Sequence, residues 1–245
     1  MNNLRLIIFC IIFFIIFNLF INFFNCNNFI KENFIINHIP KIIHQTAPTD
    51  KNKWPKIWEE CQKSWKYYFP EPEYEYKMWN DEDIDNFIKT DFNYFYEIYK
   101  NYDQNIKRID MVRYFILYKY GGIYVDMDYK CFKNFYNIIP SNKVSISESP
   151  YKENEFLQNA LMISPINHNF WLKVIDKAIE RKDANNNFNN VLYQTGPVLI
   201  SDVYYENIEM VEVLPTLKWN PKKNKNNDDI TDDLITKHYF TNTWI

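Results

Sequence analysis

The sequence predicts a layered α/β fold that follows a membrane-anchoring segment. Predicted strands alternate with predicted helices from about residue 38 onward, which is typical of a sheet covered by helices. Near the middle, a helix, a Gly-Gly pair and a short apolar strand lead into two aspartates. We therefore divide the chain into a transmembrane segment (residues 1–26), a short stem (27–37) and one globular domain (38–245).

The N-terminal segment is apolar from residue 6 to residue 24 apart from Asn18 and Asn22, which is close to the length that spans a bilayer. Arg5 precedes it, which favours a single-pass type II protein with its domain in a lumen such as that of the Golgi or the endoplasmic reticulum. A cleaved signal peptide is the alternative. Residues 25–27 lack the small-residue cleavage pattern, so an uncleaved anchor is favoured.

The first predicted strand covers residues 39–45. Ligands of open α/β sheets bind beyond the carboxyl ends of strands, so His44, Gln45 and Thr46 are expected near a site. The alternative is that His44 only caps the strand end. The next predicted elements are a helix (54–68), a strand (74–79), a helix capped by Asn80 or Asp81 (to residue 88) and an aromatic helix (92–102).

Residues 108–128 form the central motif of the chain. Gly121 and Gly122 should end a helix, because glycine readily adopts the left-handed conformation found there. Residues 123–125 then read as a buried strand. Alternate side chains of a strand share a face, so we expect Asp126 and Asp128 to point together. Two converging carboxylates favour a hard divalent cation between them.

Composition supports a functional interpretation over the alternative of a solvated Asp-x-Asp turn. The chain has 3 glycines, where about 17 would be usual for its length, and two of them are Gly121 and Gly122. Only four arginines occur, and two of these, Arg108 and Arg113, flank Asp110. Arginine donates two parallel hydrogen bonds to carboxylates or phosphates, so these positions favour binding or catalysis.

The second half of the domain continues the alternation. We predict strands at 143–147 and 160–164, a helix at 169–181, an asparagine-rich loop at 183–190, a strand at 209–214 and a polar loop at 222–233. Gly196 should open a helix that runs toward Tyr205, and the N–H groups of such a helix start suit an anion.

Charge and cysteine content limit the function classes. The net charge of −3 gives no indication of a nucleic-acid partner. No Cys-x-x-Cys pair occurs, which excludes a zinc ribbon. Cys61 and Cys131 could form one disulfide in an oxidising lumen, but spacing alone leaves this open.

Four sequence blocks together resemble glycosyltransferase family 32, the DxD-motif group that includes inositol phosphoceramide mannosyltransferases. They are residues 39–46, residues 76–79 with the acidic helix start, residues 108–128, and residues 195–197 with the terminal His238 and Trp244. The resemblance implies a GT-A-type, Rossmann-like nucleotide-diphosphosugar transferase fold, a divalent ion (Mn²⁺, or Mg²⁺) and transfer with retention. It also implies a nucleotide-sugar donor, with GDP-mannose favoured and a UDP-hexose possible, and a glycan or glycolipid acceptor.

The resemblance and the positions described above together give the expected residue roles. Asp126, Asp128 and His238 would hold the metal. The residues expected to act in catalysis are Asp126, Asp128, Asp110, Arg108 and Arg113. The residues expected to bind the donor are His44, Gln45, Thr46, Gly121, Gly122, Tyr124 and Gly196. One departure from the family is Ala47-Pro48, where a tryptophan is common.

Two other functions fit parts of the pattern. Haloacid-dehalogenase-like phosphatases also end an apolar strand with Asp-x-Asp, but they usually have Thr or Val where this chain has Lys130, and their motif comes early in the domain. A non-catalytic, membrane-anchored carbohydrate-binding homologue is the second alternative.

The riskiest prediction concerns the last eight residues. Chain ends are usually frayed, yet Phe240, Trp244 and Ile245 are large and apolar. We predict that this tail folds back across the donor, with Trp244 as its anchor. His238 would then lie within about 10 Å of Asp126 and Asp128, because the ligands of one ion lie within about 2–2.6 Å of it.

Overall fold

The computed structural model describes residues 13, 15–22, 38–151, 156–184, 190–222 and 231–241. Residues 15–22 are helical, but no helix in this described part of the chain is both long and apolar enough to cross a membrane. Most of the predicted transmembrane segment (1–26) and the whole of the stem (27–37) lie outside the described residues. The same holds for Trp244 and most of the predicted polar loop.

A six-stranded mixed sheet forms the centre of the domain. Its spatial order is β2-β1-β3-β6-β5-β7. Strand β1 pairs in parallel with β2 and β3, and β5 pairs in parallel with β7, whereas β6 runs antiparallel to both β3 and β5. The strands are β1 (Ile42–Thr46), β2 (Glu75–Trp79), β3 (Gly122–Val125), β5 (Val144–Glu148), β6 (Leu157–Ser164) and β7 (Val211–Leu214).

A second sheet of two strands lies beside the first. Strand β4 (Tyr129–Cys131) pairs antiparallel with β8 (Thr236–His238), so that Tyr129 stands opposite His238. The indole of Trp65 donates a 2.7 Å hydrogen bond to the carbonyl oxygen of Tyr129 and fixes this small sheet on the domain. Neither strand was predicted from the sequence, because both are three residues long.

Helices cover both faces of the large sheet. They are α1 (Lys56–Tyr68), α2 (Asp81–Asp91), α3 (Asn93–Lys100), α4 (Asn105–Tyr120), α5 (Asn169–Arg181), α6 (Asn190–Gln194), α7 (Pro197–Glu206) and α8 (Thr216–Trp219). Asn80 caps α2, and Asp83 completes a capping box, so the predicted helix start is confirmed. The predicted strand at 209–214 begins instead with a short 3₁₀ turn at Ile208–Met210.

Helix α4 is the most buried helix of the domain, and its buried residues include Asp110 and Arg113. It is covered on several sides by α2, α3, α5, α6 and the sheet. One apolar cluster lies on this face of the sheet, and a second lies on the face that carries α1 and β4.

The two central glycines end α4 and begin β3, as predicted. Both have a positive φ, 61° at Gly121 and 86° at Gly122. A Cβ atom at Gly122 would lie 2.5 Å from the carbonyl oxygen of Ile42, so β1 approaches too closely for any side chain. These glycines are therefore required by backbone geometry and strand packing.

The two cysteines of the domain are free thiols. Cys61 and Cys131 are both buried and form no disulfide. Burial raises the pKa of each thiol to about 12, so both remain protonated.

Candidate functional site

The two aspartates of the central motif lie on the turn between β3 and β4. Strand β3 ends at Val125, and the turn is closed by a hydrogen bond from the N–H of Tyr129 to the carbonyl oxygen of Asp126, 3.1 Å. The expectation that Asp126 and Asp128 share one face of an extended strand is therefore wrong in its geometry. The chain turns after Val125 because β4 must leave the large sheet to pair with β8.

Asp128 is held on both of its carboxylate oxygens. His238 Nε2 lies 3.1 Å from Oδ1, and the backbone N–H and the hydroxyl of Thr241 both donate to Oδ2 at 2.8 Å. Burial alone would raise the pKa of Asp128, but the hydrogen bond and charge of His238, together with Thr241, lower it to about 2. The carboxylate is therefore ionised across the physiological range.

Asp126, Asp128 and His238 together form a candidate metal site. One ligand atom from each lies within 4.8 Å of the others. The prediction that His238 lies close to both aspartates is confirmed. It arrives there through the β4–β8 pairing, and the part of the tail that carries Trp244 lies outside the described residues. Two carboxylates and an imidazole suit Mn²⁺, whereas Mg²⁺ prefers oxygen ligands alone.

Arg113 links Asp126 to Asp110 in the interior. Its guanidinium lies 3.1 Å from Asp110 Oδ1 and 3.3 Å from Asp126 Oδ1, and it donates at 2.8 Å to the carbonyl oxygen of Asn159. Burial raises the pKa of Asp126 above its usual value, and the neighbouring Asp128 carboxylate adds to this, while Arg113 opposes it. The guanidinium thus balances two carboxylates that would otherwise repel each other.

Asp110 sits at the centre of a buried polar network. It accepts hydrogen bonds from the amide of Asn159 (2.9 Å) and the hydroxyl of Thr195 (3.2 Å). The amide of Asn159 also donates to the hydroxyl of Tyr114 at 3.1 Å. Burial raises the pKa of Asp110 to about 6, with Arg113 opposing the shift and Asp126 adding to it. These contacts fix a carboxylate that also reaches the cavity described next.

A cavity of about 820 Å³ opens beside these carboxylates. Its volume lies within the range of sites for substrates and cofactors, about 300–1,000 Å³. Its lining contains both polar groups, among them the three candidate metal ligands, and aliphatic side chains. The lining includes Thr46, Trp58, Trp79, Ile84, Ile106, Ile109, Asp110, Arg113, Asp126, Asp128, Gln158, Asn159, Val191, Leu192, Pro197, His238 and Thr241.

Residues 44–46, at the end of β1, are only partly at this cavity. Thr46 lines it and shares a 2.8 Å hydrogen bond with the hydroxyl of Tyr124. His44 is fully buried between the carbonyl oxygen of Gly121 (3.1 Å) and the indole N–H of Trp79 (3.2 Å). Burial lowers the pKa of His44 to about 3, so the ring is neutral. His44 therefore has a structural role in the interior, which corrects the expectation that it binds the donor.

The side chains of Gln45 and Tyr124 both donate hydrogen bonds to Asp126 in the turn. The amide of Gln45 donates to the carbonyl oxygen of Asp126 at 3.5 Å, and the hydroxyl of Tyr124 donates to Asp126 Oδ1 at 3.1 Å. Both side chains are fully buried. Neither belongs to the described lining of the cavity, so they orient Asp126 and do not reach a donor there.

The glycines are also not donor-binding positions in this structure. Gly121 and Gly122 lie at the start of β3, whereas the aspartates follow its end. Gly196 precedes α7, but its N–H already donates to the carbonyl oxygen of Val191 at 2.9 Å, and the next residue is Pro197, which has no N–H. Neither Gly196 nor Pro197 therefore offers a free N–H group to an anion, which corrects the expectation of an anion site at Gly196.

Arg108 points away from the site. Its guanidinium donates to the carbonyl oxygen of Tyr102 at 3.0 Å, and it is not part of the described cavity lining. Helix geometry explains this, because positions three apart share a face whereas positions two apart do not. Asp110 and Arg113 thus lie together, and Arg108 lies on the opposite side. The spacing of the three residues in the sequence already contains this signal.

Several cavity residues were not predicted at all. Gln158 and Asn159 lie near the start of β6, and Thr241 follows β8. No local pattern marks them, because their positions depend on how β6 and β8 register against distant strands.

Comparison with known proteins agrees with this geometry. Residues 55–145 match the family model of the glycosyltransferase sugar-binding region containing a DXD motif. The chain therefore carries this sugar-binding region, and the predicted family resemblance is confirmed. Within the matched residues lie Asp110, Arg113 and both aspartates of the β3–β4 turn.

Two yeast proteins are similar to the chain. Inositol phosphoceramide mannosyltransferase 3 of Schizosaccharomyces pombe is 39% identical over 168 residues, which cover 68% of this chain and 45% of that protein. Mannosyl phosphorylinositol ceramide synthase CSH1 of Saccharomyces cerevisiae is 36% identical over 168 residues, which cover 68% of this chain and 42% of that protein. The chain thus spans less than half the length of these two relatives.

One solved structure has a fold similar to that of this chain. The PaToxG glycosyltransferase superposes with a TM-score of 0.52 over 72% of this chain and 76% of its own, at 20% identity. At this identity the likeness concerns the fold alone. Together with the mixed α/β sheet, it agrees with the predicted GT-A-type architecture.

Proposed function

We propose that this chain is a metal-dependent retaining glycosyltransferase that moves mannose from a nucleotide sugar to a glycolipid. The observation that carries the proposal is the Asp126, Asp128 and His238 cluster, with ligand atoms within 4.8 Å of one another, at the wall of an 820 Å³ cavity. GDP-mannose is the favoured donor, with a UDP-hexose as the alternative.

The acceptor class follows from the similar proteins. Two of them are named for mannosyl transfer to inositol phosphoceramide, which supports a phosphoinositol-bearing sphingolipid as acceptor. The predicted membrane anchor at residues 1–26 would place the domain beside such a lipid. Aliphatic side chains of the cavity, such as Ile106, Ile109 and Leu192, suit the apolar part of such an acceptor.

A divalent ion at this cluster, which its two carboxylates and imidazole suit for Mn²⁺, would supply Lewis-acid stabilisation of the negative charge on the departing diphosphate. Asp126, Asp128 and His238 would hold it. The chain prepares these ligands in advance, because Asp128 is fixed by Thr241 and Asp126 is fixed by Arg113. Prearranged charges of this kind lower a barrier without reorganisation during the reaction.

Asp110 and Asn159 would orient the transferred sugar. Both line the cavity beside Asp126, and both are fixed by mutual hydrogen bonding. The amide hydrogens of Asn159 are both used, but the remaining acceptor capacity of the two side chains suits sugar hydroxyl groups, which can donate. The acceptor hydroxyl would attack from the face that the diphosphate leaves, which gives the retention that the family resemblance implies.

A transfer assay tests the proposal. The full chain would be incubated with GDP-mannose and inositol phosphoceramide in mixed micelles, with Mn²⁺ or with excess EDTA. We expect GDP release and a mannosylated lipid with Mn²⁺ only. Asp128→Ala and His238→Ala should each lower turnover by at least about 100-fold, while Asp183→Asn, on an exposed side chain, serves as control.

Other outcomes would overturn the proposal in distinguishable ways. Undiminished transfer in EDTA would contradict metal dependence. Phosphate release from a phosphomonoester without nucleotide release would establish the phosphatase alternative. Donor binding without any turnover by the wild-type chain would establish a carbohydrate-binding protein.

A further inference from the structure

Gln158 lies behind the candidate metal ligand His238. The first residues of β6 alternate between the two sides of the strand, so that Asn159 contacts Asp110 while Gln158 faces the small β4–β8 sheet. The Gln158 Oε1 atom lies 3.4 Å from His238 Nδ1 and 2.7 Å from Asn220 Nδ2. The side chain of Gln158 thus connects a candidate metal ligand to the interior.

Asn220 fixes which end of the Gln158 amide faces the histidine. Asn220 is fully buried, and its Nδ2 also lies 3.3 Å from the backbone carbonyl oxygen of Glu148. A carbonyl oxygen can only accept, so Asn220 must present its NH₂ group there, because the reverse orientation would oppose two acceptors. The second hydrogen of that NH₂ group then points to Gln158, which must present its oxygen.

The orientation of Gln158 in turn fixes the proton on His238. An oxygen that faces Nδ1 requires Nδ1 to carry hydrogen, since Gln158 Oε1 can only accept. The other nitrogen, Nε2, lies 3.1 Å from Asp128 Oδ1 and belongs to the ligand cluster, so a bound ion would replace the hydrogen that Nε2 donates to this carboxylate. A carbonyl or carboxylate that accepts from the distal nitrogen is the usual support of a metal-binding histidine.

Aromatic packing around His238 does not make this choice by itself. The imidazole is stacked on Tyr129, with ring centroids 4.9 Å apart, and it lies 4.0 Å from the ring of Phe240. Flat contacts of this kind hold the plane of the ring, but they are nearly the same after the ring turns over. A hydrogen-bond acceptor on one side is needed to distinguish the two nitrogens.

We propose that Gln158, oriented by Asn220, is a positioning residue that keeps the proton on His238 Nδ1 and presents Nε2 to the metal ion. This inference rests on the metal site of the proposed function. It assigns to Gln158 a role through His238 and not through the substrate. Asn220 supports this role of Gln158. Its hydrogen bond to the backbone carbonyl oxygen of Glu148 fixes its own amide, which in turn fixes the orientation of the Gln158 amide.

The first test measures Mn²⁺ binding to the full chain without any nucleotide, from the electron paramagnetic resonance signal of free Mn²⁺. Gln158→Leu should weaken binding by about 10–100-fold, the usual cost of losing an outer-shell partner. Gln158→Glu keeps an acceptor and should bind within a few-fold of wild type. Gln62→Leu is the matched control. It makes the same substitution at a glutamine whose amide contacts the sulfur of Met78 instead of His238.

The second test reads the proton directly. In the full chain labelled with ¹⁵N-histidine and loaded with diamagnetic Zn²⁺, His238 should show a protonated Nδ1 and a metal-bound Nε2. Gln158→Leu should show a mixture of His238 bound through Nε2 and His238 bound through Nδ1, whereas Gln62→Leu should match wild type. A merely structural role of Gln158 would lower stability without changing these resonances.

Each outcome separates this inference from the proposed function. If wild type binds Mn²⁺ and Gln158→Leu binds equally well, or if Nδ1 is the metal-bound nitrogen, the positioning role is overturned and the proposed function stands. If wild type binds no Mn²⁺, both are overturned.

Discussion

His238 Nε2 lies 3.1 Å from Asp128 Oδ1, although the two residues are 110 positions apart in the chain. The pairing of β4 with β8 produces this contact, since Tyr129, next to Asp128, stands opposite His238. The N–H of Tyr239 also donates to the carbonyl oxygen of Asp128 at 3.0 Å. The C-terminal strand is therefore part of the candidate metal site.

Asp128 should contribute to stability at mildly acidic pH in the metal-free protein. Its folded-state pKa is lowered from 3.8 to about 2. A lowered pKa stabilises the fold above the unfolded value, and this contribution is lost as the pH falls from about 4 to about 2. In EDTA, Asp128→Asn should be less stable than wild type by about 2 kcal/mol at pH 5, and the difference should approach zero near pH 2.

Urea unfolding followed by tryptophan fluorescence at several pH values would measure this difference. Asp183→Asn, whose side chain is 87% exposed, should leave the free energy of unfolding nearly unchanged throughout. A constant gap between Asp128→Asn and wild type from pH 5 to pH 2 would contradict the prediction.

Arg113 and Arg108 should differ sharply, although the sequence suggested similar roles. Arg113→Met leaves Asp110 and Asp126 without their shared guanidinium. Breaking a buried ion pair in this way costs about 3–5 kcal/mol, and we expect a loss of that size in the free energy of unfolding. Arg108→Met removes a hydrogen bond to the carbonyl oxygen of Tyr102 and should cost about 1–3 kcal/mol.

Metal binding would distinguish these arginines further. Arg113→Met should change the Mn²⁺ affinity, because the guanidinium contacts the candidate ligand Asp126, whereas Arg108→Met should leave it unchanged. Equal effects of both substitutions on stability and on affinity would show that the orientation of α4 described above is wrong.

Gly122 should tolerate no side chain. Gly122→Ala forces a Cβ atom to within 2.5 Å of the carbonyl oxygen of Ile42 at a φ of +86°. We expect a loss of at least about 2 kcal/mol in the free energy of unfolding, since strain and a clash with the backbone combine. Gly196→Ala should cost less, because its nearest contacts are at 3.1 Å and its φ is −99°.

The folded fraction of Gly122→Ala should still bind Mn²⁺ with the wild-type affinity, because Gly122 lies at the far end of β3 from the aspartates. Denaturation curves and Mn²⁺ titrations of the same samples would check both statements. A selective loss of metal affinity in a stable Gly122→Ala protein would instead assign the glycine to the site.

The sequence was most informative where structure depends on neighbours in the chain. The end of α4 at Gly121, the capping of α2 by Asn80 and the start of β3 all follow from local conformational preferences. The Asp-x-Asp motif was found for the same reason, although its extended geometry was not. An extended strand and a turn can both follow a short apolar run, and only the departure of β4 toward β8 decides between them.

The sequence by itself determined the α/β class, the central motif, and Asp126 and Asp128 as candidate ligands, and the family resemblance added His238. Only the tertiary structure decided that Arg113 and not Arg108 reaches the carboxylates, and that His44 and the glycines are structural. It also brought Gln158, Asn159 and Thr241 to the cavity. Those positions depend on strand register between distant segments, which is set by the packing of the whole domain and leaves no periodic trace in the chain.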